Sequence, residues 1–527
     1  MTDTEQLIEH YSDPAFAPPK TETVHAGPLS VVVTADGDIR YIRSGEHELI
    51  RRVYAAVRAS DWWTVPAVTT VLEKTVGSNT FRIVSEALYS ATNRGIGFRA
   101  ILTLTGDSDG RVTFDFDGEA LTDFERKRIG ICVLHPADAK GTPVTVTHTD
   151  GSQEAGSLPD TIAPHQPFFD IAAIRHTVAD GLDAEVTFTG DVFEMEDQRN
   201  WLDASFKTYS TPLALPTPVV VKAGERVRQT VTVRPHPAPL SLGRERGENT
   251  TGGIMLSGSR DALGRPPLPS EGEGGGGVRA ASIGIVWSED IAKPDATLSL
   301  PSNVHIWLEL DLAKPRWQKL LARADEFAWR NGSALYVCIK NAGTYLRGKT
   351  SKIASAIGRD VAKVKSSAAM PIPKATAKWF VIGVTEREQL QLVREIIPSS
   401  SLTIGFVSNF TELNRIRPDV SMIDSLFFAG NPQVHATDSL SIAETPPMIA
   451  EVIRTARVFA NGRPVHVGPL TFTGPYAAND PRETARFGQE WYEQILAHAV
   501  EAGADSVTLG ASALPVLMKW HAREGTR

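Results

Sequence analysis

The chain has 527 residues, 42% of them hydrophobic and 22% charged, with 54 Lys+Arg against 62 Asp+Glu for a formal charge of −8. That composition excludes a disordered or collagen-like chain, and at about 200–250 residues per sandwich or barrel the length holds two large domains. The acidic balance lacks the basic footprint of a general nucleic-acid binder, and no apolar run approaches the roughly 20 residues that span a bilayer.

Met1 to Lys20 carries Glu5, Glu9 and Asp13 and has no basic start followed by an apolar stretch. No secretory signal is expected there, and the reading is a soluble, cytoplasmic protein. Cys132 and Cys338 lie far apart, each within an apolar run, which suits buried free thiols and neither a disulfide framework nor a metal site.

From about Leu29 to Pro235 short runs alternate in hydrophobicity: Leu29–Thr34, Phe98–Thr105, Arg111–Asp117, Thr142–Thr149, Ala184–Thr189 and Val219–Val233. Period-two, β-branched runs bounded by Gly, Asp, Asn and Pro predict strands, and some 200 residues of them predict an antiparallel β-sandwich over 1–238. Within it, Gly106-Asp107-Ser108-Asp109-Gly110 spells GxSxG. A nucleophile elbow joins a strand to a helix, whereas strand-like runs flank this pentapeptide, so it reads as a hairpin turn.

Residues 239–279 change texture: Ser241 to Gly277 is saturated with Gly, Pro, Ser and charge, and too few bulky apolar groups remain to offset the entropy of folding. A disordered insert is expected. Its Gly272, Gly274 and Gly277 match GxGxxG without the preceding strand and following helix that a dinucleotide site requires.

Over 280–527 eight strand-like runs occur: Ser282–Trp287, Val304–Leu310, Ala334–Ile339, Trp379–Val384, Leu402–Val407, Ile423–Phe428, Val465–Leu470 and Ser506–Leu509. Helix-like stretches fall among them at Trp317–Asn331, Glu386–Ile396, Pro446–Phe459 and Glu483–Ala502. Eight βα units in about 250 residues predict a TIM (β/α)8 barrel. The fold class is therefore multidomain, a β-sandwich followed by an α/β barrel.

Three regions carry a family resemblance: RIGICVLHP, GTPVTVTHTDGS and IAPHQPFFDI between Arg128 and Asp170; FEMEDQRNWLDASFKTYSTPL, Phe193–Leu213; and the barrel phrases NFTELNRIRP, NPQVHATD, PVHVGPLTF and EAGADSVT. Together they resemble the D-apionate lactonase family of apiose catabolism, over most of the chain from about Tyr41 apart from the insert and residues near 340 to 378. The resemblance implies a β-rich domain followed by a TIM barrel. It also implies hydrolysis of a five-membered sugar lactone to its open-chain acid, which makes a small-molecule sugar lactone the expected partner; no cofactor is expected. Fold and family alone do not fix a substrate.

Such chemistry needs a base to activate the attacking oxygen, donors for the oxyanion and polar groups for the sugar hydroxyls, and a TIM barrel places them at the C-terminal ends of its strands. After the fifth strand come Asn409, Glu412, Asn414 and Arg415, with Glu412 the candidate general base and Asn409 and Asn414 candidate oxyanion or hydroxyl holders. Glu412 can equally complement the dipole of the next helix. Beyond the sixth strand lie Gln433, His435 and Asp438, where His435 can exchange a proton near neutrality and Asp438 can orient it. Glu444 is a further carboxylate or a helix entry. At the second strand's end Asp311 is better placed to bind than Glu309 or His305, and His305 and His466 read as structural. Thr471 and Thr473, ending the seventh strand, can hydrogen-bond a hydroxyl.

Glu196, Asp197, Arg199 and Asn200, beside Trp201 and Phe206, suit either carbohydrate contact or a salt-bridged connector. His148, Asp150, His165 and Gln166 lack metal-ligand spacing, and no metal is expected.

The sequence departs from the family in three places. The eighth strand ends in TLGASALP where the resemblance implies a phrase with Tyr and Glu; the implied small C-terminal β domain is not seen before Arg527; and Lys340 to Lys378 holds nine Lys/Arg against one acid, Asp360. That basic stretch lacks the aromatic groups of a nucleic-acid platform and reads as a solvated loop. Two rival functions stand beside lactone hydrolysis. One is glycoside hydrolysis by a carboxylate pair, and the other is sugar binding without turnover.

Overall fold

The computed structural model describes residues 20–34, 38–237, 281–287, 300–301, 304–311, 314, 316–340, 377–383, 387, 390–391, 402–474 and 479–524. The insert expected at 239–279, the interior of the basic stretch and most of the helix expected at Glu386–Ile396 lie outside these residues. The chain divides into two compact units: Pro19–Arg199 with Ala204–Ile254, and the C-terminal unit, which takes in Asn200–Asp203.

The N-terminal unit is built of antiparallel strands, seventeen in one hydrogen-bonded network. Long ladders join Phe81–Ala91 to Ile96–Gly106 and Ile96–Gly106 to Val112–Ala120. Alternation puts Phe98, Phe114 and Phe116 in the core, as period-two patterning requires. The GxSxG pentapeptide is the turn between the latter two strands: Asp107 Oδ1 accepts from the amides of Asp109 and Arg111, both at 3.0 Å. Cys132, here, and Cys338, in the other unit, are buried and free.

The C-terminal unit is a closed barrel of eight parallel strands: β1 (Ser282–Val286), β2 (His305–Asp311), β3 (Ala334–Lys340), β4 (Ala377–Ile382), β5 (Leu402–Phe406), β6 (Ser425–Gly430), β7 (Val465–Leu470) and β8 (Ser506–Leu509). Ladder β1–β8 closes the ring, with Ser282 opposite Ser506. Described helices are α1 (Trp317–Arg330), α2 (Phe410–Ile416), α3 (Ser439–Ala443), α4 (Met448–Ala460), α5 (Arg486–Glu501) and α6 (Leu514–Glu524). Each long one buries a stripe at helical spacing, such as Phe487, Trp491, Ile495 and Ala499 on α5, the pattern that seats an amphipathic helix on a sheet. Among the described residues no helix is long and apolar enough to cross a membrane.

Side chains fill the barrel interior. Trp307, Tyr336, Cys338, Phe380 and Phe427 form one cluster. The ring of His305 stacks on Tyr336 at 4.0 Å between centroids, and its two nitrogens face Ser282 Oγ at 3.0 Å and Thr508 Oγ1 at 2.7 Å. His466 Nδ1 faces Ser506 Oγ at 2.7 Å. Both histidines are thus satisfied core groups, and burial pushes their pKa values down, that of His466 to about 4. Gly284 makes room: a Cβ there would lie 2.1 Å from the His305 ring.

Candidate active site

Strands β5 to β8 carry a polar rim at their C-terminal ends. After β5, Asn409 stands in extended backbone at the start of α2 without capping it. Glu412 falls in the helix's first turn. Among the described residues, the side-chain atoms Asn409 Oδ1 and Glu412 Oε2, with Gln433 Oε1 after β6, are buried without a hydrogen-bond partner, a costly state for an acceptor. Gln433 is held from its other end, Nε2 donating to Phe472 O at 3.0 Å.

Asn414 is placed differently from its expected role. It is fully buried, its Nδ2 donates to Asn200 Oδ1 at 2.9 Å, and its Oδ1 accepts from Arg417 Nη2 at 2.9 Å. Both ends of the amide are engaged in packing, so it does not present a donor to an oxyanion. Asn200 is the other half of that contact, and its backbone carbonyl accepts from Thr411 Oγ1 at 3.1 Å. It anchors the 200–203 segment to α2, where a hydroxyl-binding role had been expected.

His435 lies beyond β6 as expected, but its orienting carboxylate differs. Nδ1 donates to Asp203 Oδ2 at 2.7 Å, and the ring stands edge-on to Trp201 at 5.0 Å. Asp438 instead caps α3, accepting from Ser441 N and Ser441 Oγ, both at 2.9 Å. Its place at an N-cap explains the change: the orphan amides of a helix's first turn are the nearest donors. Glu444 ends the same helix. Trp201 also takes the Arg415 guanidinium over its face at 5.6 Å.

Asp311 ends β2 opposite Lys340 on β3, whose ammonium pairs with Glu309 Oε2 at 2.5 Å. The second strand end therefore carries a cation along with its two acids.

The remaining expected sugar-contact residues are taken up inside the N-terminal unit. Arg199 grips Asp197 in a fork, Nε to Oδ1 at 2.9 Å and Nη2 to Oδ2 at 2.7 Å, and donates to the carbonyls of Asp160 and Pro159. The guanidinium also lies over the Phe206 ring at 4.5 Å. Burial raises the Asp197 pKa while the Arg199 hydrogen bonds and charge oppose that rise. Glu196 pairs with Lys207. Asp197 and Arg199 are thus buried and paired with each other, a structural arrangement, while Glu196 is partly exposed and paired with Lys207.

Sequence reasoning gave no role to Glu483, a carboxylate of the rim with three side-chain partners. Glu483, between β7 and α5, accepts from Thr473 Oγ1 at 2.9 Å, Ser512 Oγ at 2.6 Å and Tyr492 Oη at 3.3 Å. Tyr492 Oη in turn accepts from Phe472 N at 2.9 Å, and burial raises the phenol's pKa. In the sequence Glu483 looks like an ordinary helix-entry acid following Asp480-Pro481, and only chain closure shows its partners.

Comparisons with known proteins agree with this architecture. A family model described as D-apionate lactonase, N-terminal domain, matches residues 10–238, and one described as D-apionate lactonase, TIM barrel domain, matches 287–518. The D-apionate lactonase of Brucella anthropi is 29% identical over 530 residues, covering 93% of this chain and 82% of that one. Among solved structures, a galactose 1-epimerase from Lactobacillus acidophilus NCFM aligns at TM-score 0.28 and 6% identity, over 42% of this chain and 100% of that one. A putative alpha-L-fucosidase from Bacteroides thetaiotaomicron VPI-5482 aligns at TM-score 0.30 and 11% identity, over 46% and 92%. Likenesses so slight carry no weight for fold or function.

Proposed function

Because the chain belongs to the D-apionate lactonase family, we propose that it hydrolyses the ring ester of a sugar lactone, D-apionolactone to D-apionate, in carbohydrate catabolism. The observation that carries this reading is the acid–base equipment at the barrel's C-terminal rim: Glu412 with one carboxylate oxygen buried and unpartnered among the described residues, and His435 held at Nδ1 by Asp203. Donation from Nδ1 assigns the proton to that nitrogen and makes Nε2 the basic atom. A base so placed activates the water that hydrolyses the ester. Asn409 and Gln433 add amide groups suited to sugar hydroxyls. The same proposal takes the N-terminal strands as a β-sandwich, the reaction as metal-independent and the compartment as the cytoplasm.

The test is pH-stat titration of acid released from D-apionolactone and a panel of aldonolactones, with and without chelator, on the wild type and Glu412→Gln. Release that survives chelator and is lost in the variant supports the reading. A folded protein that releases acid from no lactone sinks it in favour of a glycosidase or a sugar-binding relative, and chelator sensitivity overturns the metal-independent part.

A further inference from the structure

The end of β8 makes the passage from strand to helix that the GxSxG pentapeptide lacks. There the chain passes from strand to helix within four residues: β8 ends at Leu509, Gly510 follows, Ala511–Ala513 form a 3-10 turn and α6 begins at Leu514. A serine on such a turn is lifted out of the strand and into the rim. Ser512 stands on it and is partly exposed. Gly510 is what lets Tyr492 approach, since a Cβ there would lie 2.8 Å from the phenol oxygen.

Three contacts then distinguish Ser512 from a serine that merely ends a loop. Its Oγ donates to Glu483 Oε1 at 2.6 Å, a short, charge-assisted bond. The same carboxylate is fixed through its other oxygen by Thr473 Oγ1 at 2.9 Å. Tyr492 Oη lies 3.0 Å from Ser512 Oγ. A nucleophile touching a base, and the base oriented by a third group, is the general arrangement of an activated serine.

We propose that Ser512 is a covalent nucleophile and Glu483 its base. The lactone as substrate rests on the reading above, whereas the activation of Ser512 does not. Oγ attacks the carbonyl carbon while its proton passes to Glu483 Oε1. The bond from that carbon to the ring oxygen breaks, and the ring oxygen takes the proton from Glu483, leaving an open-chain ester on Ser512. Water then gives a proton to the base of the reading above, Glu412 or His435, and attacks the ester carbon. The acid departs as Ser512 Oγ regains the proton.

The experiment treats the full chain with an alkyl fluorophosphonate and maps adducts by peptide mass spectrometry, with pH-stat turnover and melting curves in parallel. The expected result is one adduct on the Ser512 peptide, formed about 100-fold more slowly in Glu483→Gln and absent in Ser512→Ala, with lactone turnover in Ser512→Ala reduced by about 100-fold or more. Because labelling of the wild type needs no variant and no lactone, poor folding of a variant leaves the test decisive. An adduct without lactone turnover keeps the pair and removes the lactonase reading. Turnover without an adduct, or a folded Ser512→Ala that turns over normally, removes the pair and keeps the lactonase reading.

Discussion

Glu194–Lys207 in the N-terminal sequence and Asn409–Asp438 in the barrel carry comparable densities of acids, bases and amides, and by sequence both suit sugar contact. In the first, Asp197, Arg199, Glu196 and Lys207 are joined in ion pairs among buried groups. Among the described residues the first leaves one buried donor, Gln198 Nε2, without a partner, and the second leaves the acceptors of Asn409, Glu412 and Gln433 without one. The contrast teaches that density of polar groups does not mark a site. A cluster of unsatisfied acceptors at the end of barrel strands is the better sign, since each unpaired buried acceptor costs stability.

Breaking the Asp197–Arg199 fork should have the largest effect on stability. Arg199→Ala leaves a buried carboxylate unpaired and should lower unfolding free energy by about 3–5 kcal/mol in urea titration; a loss under about 1 kcal/mol would erase the contrast. Glu412→Gln should do the reverse, keeping the melting temperature while turnover in the pH-stat falls by about 100-fold or more.

Acid should weaken both units alike. Burial lowers the pKa of His176, in the N-terminal unit, and of His466, in the barrel, each to about 4. A histidine neutral in the fold but ready to protonate at its ordinary value of about 6.5 once unfolded contributes stability that is present above that value and lost as pH falls towards 4. Each should lower stability by up to about 1.4 kcal/mol per pH unit across that window. Urea midpoints at a series of pH values should show this slope, and His176→Leu should remove one proton's share of it. The smallest expected effect is that of Thr411→Val, which deletes the bond to Asn200 O and should cost about 1 kcal/mol, readable as a small shift in the urea midpoint.

Much of the barrel was legible. All eight strand-like runs coincide with β1–β8 to within about two residues, because a strand buried on both faces reads as a continuous apolar run. His305 and His466 read correctly as core groups, since each sits inside such a run. Partner assignments were not legible. Asp438 looked like the companion of His435 at a spacing of three residues, yet Asp203, 232 residues away in sequence, holds that ring. Ser512, inside a phrase of small residues that looked like a lost site, is hydrogen-bonded to Glu483.

What the amino-acid sequence determined by itself was the order of its elements, the parallel barrel after an antiparallel β region, and the family. These follow from periodicity and long shared phrases, which are local properties of the chain. Only the tertiary structure decided which polar groups pair. Hydrogen bonds are made between atoms about 3 Å apart whatever their separation in the chain, so chain closure alone placed Arg199 on Asp197, Asp203 on His435 and Glu483 on Ser512.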